Sequence, residues 1–220
     1  MDFGWEAWFA ARYCLSALPR EKIVIRLVID FKNALSWLSL GPTVALAEEL
    51  GVPLALLPYR TEVSVLSQAE EGEETVSERH ARVRAEYYGA DLKRYAELQN
   101  IELIADNRGV DSTMSLLGLL WGNREGVGLH YAQTVFSRFW SGLMDLDDAQ
   151  SVRDALVSSG ASTFDSDAMR AELDSLRTSL EAEGVFNVPM YLVEGQTFQG
   201  REHLPMIRWL LSSEQEPVPI

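Results

Sequence analysis

The chain has 220 residues, with 33 acidic against 19 basic side chains and a formal net charge of -14. Such a field repels phosphate backbones and anionic lipid surfaces, so nucleic acid is excluded as an expected partner. At 47% hydrophobic and 24% charged, the composition is that of a globule able to bury one core, or a core plus a satellite domain, and not that of a disordered or fibrous chain. A lone cysteine, Cys14, rules out by arithmetic an intramolecular disulfide, a cysteine pair and a cysteine-based zinc site. A reducing cytoplasm fits that usage best. The longest apolar runs, around Ile23 to Ile29 and Leu116 to Trp121, are too short to cross a bilayer, so no membrane span is expected.

Residues 1–21 read as a helical N-terminal extension, because Asp2, Glu6 and the aromatics Trp5, Trp8 and Phe9 stand where a signal peptide would place basic and then aliphatic residues. That aromatic strip serves either as an interface in a homodimer or as a cover for the protein's own sheet. Lys22 to Asp30 is β-branched and almost continuously apolar, interrupted by Arg26, which predicts a strand covered on both faces. Leu35, Leu38, Leu46 and Leu50 then recur at helical spacings up to Gly51, with Pro42 expected to kink the helix. Val52 to Pro58 reads as a second strand, parallel to the first.

From Glu62 to Glu78 the sequence is polar and acidic without a period, the reading of a loop or linker. Helical spacing follows at Val83, Tyr87, Tyr95 and Leu98, and again at Leu129, Ala132, Val135, Phe136, Phe139, Trp140 and Leu143. A short helix starts at Asp147 and Asp148, and Met169, Leu173, Leu176 and Leu180 mark an amphipathic helix stopped by Gly184. Val188 to Val193, a turn at Glu194 and Gly195, and Gln196 to Phe198 predict a hairpin, with a last helix from Arg201 to Leu211. The order βαβ, helices, αββα predicts a split α/β domain, residues 22–61 and 164–220, carrying an inserted all-helical domain, 62–163.

In an α/β unit ligands gather beyond the carboxyl end of the first strand, where the next helix presents free N–H groups and a partial positive charge. Here that place is Asp30 to Ser36, with Asn33 and Ser36 as the polar groups. A thiolate is favoured there electrostatically; alternatively Asn33 serves as a cap, accepting from the N–H of Ser36. Lys32 faces either substrate or water. Val188-Pro189 opens the third strand, and a cis bond there would leave backbone groups exposed. His80, His130 and His203 are scattered without carboxylates at ligand spacing, so no metal is assigned.

Asp30-Phe-Lys-Asn-Ala-Leu-Ser-Trp-Leu38 resembles the strand-to-helix turn of the DsbA-like family, especially its 2-hydroxychromene-2-carboxylate isomerase and kappa-class glutathione transferase branch. The likeness continues through Ala85 to Ala96, Phe136 to Trp140, Gly184 to Pro189 and Phe198 to Leu204. It implies a thioredoxin-like fold with an inserted helical domain, and glutathione as cofactor. It also implies a small unsaturated or aromatic electrophile as substrate, and it allows a homodimer. Asn33 stands where that branch keeps a catalytic serine and the redox enzymes their first cysteine; Ser36 replaces the second cysteine and Ala34 the usual proline. Thiol–disulfide exchange is thereby removed. The resemblance places Val188 and Pro189 against the glutathione backbone, and Arg201 and Glu202 at its glutamyl end. Two functions follow as expectations: a glutathione-dependent isomerase or transferase using Asn33 and Ser36, or a degenerate relative that binds a ligand or partner without catalysis.

Overall fold

In a computed structural model that describes residues 23–62 and 75–212, a four-stranded sheet has helices on both sides. The N-terminal extension, with Cys14 and the aromatic strip, lies outside the described residues. Strands β1 (Ile25–Ile29), β2 (Leu54–Pro58), β3 (Met190–Val193) and β4 (Gln196–Gln199) run in the spatial order β2-β1-β3-β4. β1 and β2 are parallel, while β3 is antiparallel to both β1 and β4. The parallel pair requires a crossover, which α1 (Ala34–Leu50) supplies; the antiparallel pair closes through a tight turn at Glu194 and Gly195, both with positive φ. This is the α/β thioredoxin-like order that the sequence predicts, and β1, central and buried along nearly its whole length, is its axis.

Arg26 breaks the apolar run of β1 without entering the core. Its guanidinium reaches Glu183 with two hydrogen bonds, 2.6 and 3.2 Å. Pro42 does not end α1, which continues to Leu50 and closes on Gly51 in the left-handed conformation. A proline at position 42 cannot donate to the carbonyl four residues back. That carbonyl, Leu38 O, accepts instead from Gln99 Nε2 at 3.0 Å and Arg201 Nη1 at 3.4 Å. The lost helix bond is thus replaced by two side chains, one from the middle of the chain and one from near its C-terminal end.

The middle of the chain holds α2 (Val76–Gln99), α3 (Thr113–Arg124), α4 (Gly128–Trp140) and α5 (Ala149–Ser159), and α6 (Ser166–Ala182) leads back to the sheet. α2 is helical where the spacing predicts, yet Val83, Tyr87 and Leu98 are exposed and Ala96 alone of its residues is buried. Most of the periodic residues of α4 and α6 are buried, namely Ala132, Val135, Phe136, Phe139 and Trp140 in α4 and Met169, Leu173 and Leu180 in α6, whereas Leu129 and Leu143, the latter beyond the end of α4, are exposed and Leu176 is partly buried. α3 carries the run Leu116 to Leu120 at the centre of one core cluster that joins the sheet, α1 and the helical segment. The predicted last helix is a 3₁₀ turn, Arg201–His203, followed by α7 (Leu204–Leu211).

α3 and α4 touch where Gly118 meets Tyr131. A Cβ on Gly118 would lie 2.2 Å from the Tyr131 oxygen, which is buried and donates to Ser115 O at 3.0 Å. Gly118→Ala is therefore expected to destabilise the protein by about 1–3 kcal/mol, through overpacking and the displaced phenol. Urea unfolding checks this against Gly89→Ala, an exposed helical glycine whose replacement should gain up to about 1 kcal/mol; a Gly118→Ala protein as stable as the parent would contradict it.

Candidate functional site

β1 delivers the chain into the turn Asp30 to Asn33, and Asn33 caps α1. Its extended backbone, φ −97° and ψ 113°, lets Oδ1 accept from the Ser36 N–H at 3.0 Å. An amide oxygen so used leaves the Asn33 NH₂ group as a donor, at a half-buried position. The N–H groups of Ala34 and Leu35 precede any intrahelical acceptor. Together these donors make an electropositive helix end suited to an anion. Ser36 is different. It has no solvent exposure, and its Oγ accepts from the Asp30 N–H at 3.4 Å, so it holds the turn from beneath.

Asp30 itself is a charged group with no exposure at the end of an apolar strand. Its Oδ2 accepts from the Thr61 hydroxyl at 2.6 Å and the Thr61 N–H at 2.8 Å, and its Oδ1 from the Lys32 N–H at 3.3 Å. Lys32, 7% exposed, places Nζ 3.7 Å from that carboxylate and donates to Thr61 O at 2.7 Å. The lysine thus faces neither substrate nor water. It completes a buried lock between the ends of β1 and β2. Two backbone carbonyls of the same turn are taken by the helical segment: Phe31 O by Trp140 Nε1 at 3.1 Å, Lys32 O by Asn107 Nδ2 at 2.9 Å.

The register Val28↔Met190 brings Val188 and Pro189 to this same end of the sheet, and their peptide bond is cis. Val188 is buried, and its N–H donates to Asn187 Oδ1 at 2.9 Å. Arg201 stacks on Tyr95, with the guanidinium carbon 3.2 Å from the ring centroid, and reaches α1 through Leu38 O. Glu202 is exposed, its carboxylate lying over Gly200, where φ is 85° and a Cβ would collide with it. Asn33, Ser36, Val188 and Pro189 therefore share one end of the sheet, whereas Arg201 is engaged in holding α1 to α2. Thr61, Asn107 and Asn187 are site residues that sequence reasoning passed over, and Asp30, though inside the predicted site, has no role assigned from sequence. The available signal was an aspartate ending an apolar strand, with a threonine just beyond the parallel partner.

Residues 61–212 match a family model described as a DSBA-like thioredoxin domain. No curated protein sequence matches the chain significantly. Among solved structures, 2-hydroxychromene-2-carboxylate isomerase is similar at TM-score 0.60 and 19% identity, over 84% of this chain and 92% of that one. A probable DsbA oxidoreductase from Streptomyces coelicolor gives 0.64 and 14%, over 90% and 93%. A cytosolic disulfide reductase, DsbM, from Pseudomonas aeruginosa with GSH gives 0.55 and 15%, over 86% and 95%. At these identities the likeness is one of fold.

Removing the Asp30 carboxylate leaves the buried Lys32 ammonium with the Thr61 carbonyl but no counter-charge, and the Thr61 N–H without its acceptor. Asp30→Ala is expected to lower stability by about 3–5 kcal/mol, as for one partner of a buried pair. Lys32→Met, which keeps the Thr61 bonds to Asp30, should cost less. Equal losses in denaturant titrations of the two variants would show that the Thr61 contacts contribute little.

Proposed function

Since the chain belongs to the DSBA-like thioredoxin domain family, we propose that it holds glutathione at the N-terminal end of α1. Its thiolate then acts on a small unsaturated or aromatic electrophile, as an isomerase or transferase, without thiol–disulfide exchange. The observation that supports this reading is the state of Asn33. Its oxygen is committed to the cap, and its amide donor remains beside the first N–H groups of the helix.

A thiolate at that position is stabilised by the helix end and by a charge-assisted bond from the amide. In the isomerase form, sulfur adds to an unsaturated carbon, the former double bond rotates as a single bond, and the thiolate leaves with the double bond re-formed. Atoms and electrons balance, and no oxidant enters. Asn33 can donate throughout but cannot take a proton. Ser36 acts on the reaction only by fixing the turn. Val188 and Pro189 would align the tripeptide backbone, with Arg201 and Glu202 toward its glutamyl end, as the resemblance implies. Arg201 would serve from the edge of its stack on Tyr95. A reducing compartment such as the cytoplasm, and a homodimer, belong to the same proposal.

One observation favours the second reading, a binding module without catalysis. The Val188 N–H, which would meet the ligand backbone, is already taken by Asn187 Oδ1. Under the enzyme reading Asn187 swings away on binding, so Asn187→Ala should tighten glutathione in calorimetric titration.

Asn33→Asp separates the two roles of that residue. Aspartate caps as well as asparagine, so thermal stability should hold, while a carboxylate beside the thiolate should weaken glutathione by tenfold or more, on the order of one charge-assisted bond. Asn33→Ser should retain binding. No saturable heat with millimolar glutathione in the parent protein and in Asn187→Ala alike would end the glutathione reading and leave the binding-module one.

A further inference from the structure

Helix α2, 24 residues and so about 36 Å long, carries its apolar side chains on the side away from the core. The side turned to the body of the protein holds Leu92 and Ala96, with Gln99 reaching Leu38 O. At about 100° per residue, Val76, Val83, Tyr87 and Leu98 fall within about 60° of one another on the opposite side. All four are more than half exposed. A contiguous apolar stripe left to water along a whole helix marks an interaction face.

Spacing and charge select the occupant. Val76, Tyr87 and Leu98 are separated by eleven residues each, three turns of helix, so the stripe is symmetrical about Tyr87. Laid antiparallel on a second α2, Val76 meets the Leu98 of the other copy and Tyr87 meets its equivalent on a two-fold axis, the self-complementary contact that a closed dimer requires. The chain has a net charge of −14, yet α2 holds five basic side chains against four acidic ones, so two copies approach on this face without the repulsion that the rest of the surface imposes. At the edge of the stripe Arg84 stands three residues before Tyr87 and Asp91 four after it. Antiparallel packing sets each beside the other's counterpart in the second copy, whereas parallel packing would keep them about 10 Å apart along the axis. Asp91 also accepts from Arg94 at 2.6 Å, and a carboxylate has acceptor sites for both.

We infer that α2 is the interface of a symmetric homodimer, in which the two copies of the helix pack antiparallel about Tyr87. Tyr95 stays under Arg201 and Leu92 stays on the core, so the pairing requires no movement of α2. A standard interface buries about 800 Å² per partner, and one helix pair reaches the lower end of that class, so a Kd in the micromolar range is expected. A homodimer is common to the reading above, but this face stands on α2 alone and does not depend on glutathione, so either can fail without the other.

The test is sedimentation equilibrium of the full chain over about 1–100 μM, which brackets a micromolar Kd. The parent should pass from monomer to dimer in that range. Tyr87→Lys puts two ammonium groups on the axis and should weaken association by about a hundredfold or more, whereas Val157→Lys, at a similarly exposed apolar position on α5, should leave it unchanged. Orientation is read separately: in a Cys14→Ser background under a mild oxidant, Val76→Cys mixed with Leu98→Cys should give the mixed disulfide-linked dimer in excess of either self-linked one. A dimer that survives Tyr87→Lys, or self-linked dimers in excess, would overturn the assignment. So would a parent that stays monomeric: a thermal transition then lowered by Tyr87→Lys would assign the stripe to the chain's own N-terminal segment, and an unmoved one to a partner of another kind. Loss of glutathione binding with the dimer intact would count against the proposed function and not against this interface.

Discussion

A carboxylate with no access to water terminates the central strand, and the geometry of the site depends on how that charge is satisfied. Asp30 is held by two bonds from Thr61, a backbone bond from Lys32 and the Lys32 ammonium. Lys32 lies two residues along the turn and Thr61 just beyond the parallel strand, so the lock fixes the end of β1 against the end of β2 and sets the path into α1. A buried pair of this kind is rarely more stabilising than apolar packing of equal volume. Its value here is one of position: the turn that presents Asn33 has no freedom to relax around a different charge arrangement.

The helical segment is joined to the same turn through backbone carbonyls. Trp140 and Asn107 take the carbonyls of Phe31 and Lys32. Farther along α1, Gln99 and Arg201 take the carbonyl that Pro42 leaves without a donor. Unpaired buried carbonyls are costly, so each becomes an attachment point for a distant side chain. The proline that seems a defect in the helix is one reason α2 and the C-terminal segment meet where they do. Arg201, attractive from sequence as a ligand contact, has this structural duty as well, and any ligand it grips shares it.

Most of the architecture was legible because period and punctuation agreed with it. The apolar run of β1, the steps of Met169 to Leu180, the glycine stops at Gly51 and Gly184 and the Glu194-Gly195 turn all appear where the pattern predicts. Two elements escaped or misled. α3 shows in the sequence only as an apolar run, because Leu116, Leu117, Leu119 and Leu120 are buried on several sides of it and leave no polar face to reveal the period. The spacing in α2 marks a helix but not a buried face, since propensity and a capping box at Thr75 and Glu78 form the helix without burial. At the site, the Asn33 cap was readable from its place three residues before Ser36. The Asp30 lock was not, because it joins residues 31 positions apart, and spacing along the chain carries no sign of such a contact.

Replacing a hydroxyl or thiol by an amide at Asn33 changes what the site can do with protons more than what it can do with charge. A free thiol has a pKa of about 8.5, so near neutrality most of it is protonated. A helix end contributes about 0.3–1 kcal/mol toward the anion, and a charge-assisted bond about 1.5–3. At about 1.4 kcal/mol per pKa unit, the two together lower a bound thiol by between one and three units. A shift in the upper part of that range would make the thiolate of a bound thiol the main form at neutral pH, whether the donor is Asn33 or a serine. The amide cannot receive the proton that is released, which must therefore pass to water. A half-buried Asn33 above a fully buried Ser36 suits that division, with the donor near solvent and the hydroxyl retained beneath the turn as scaffold.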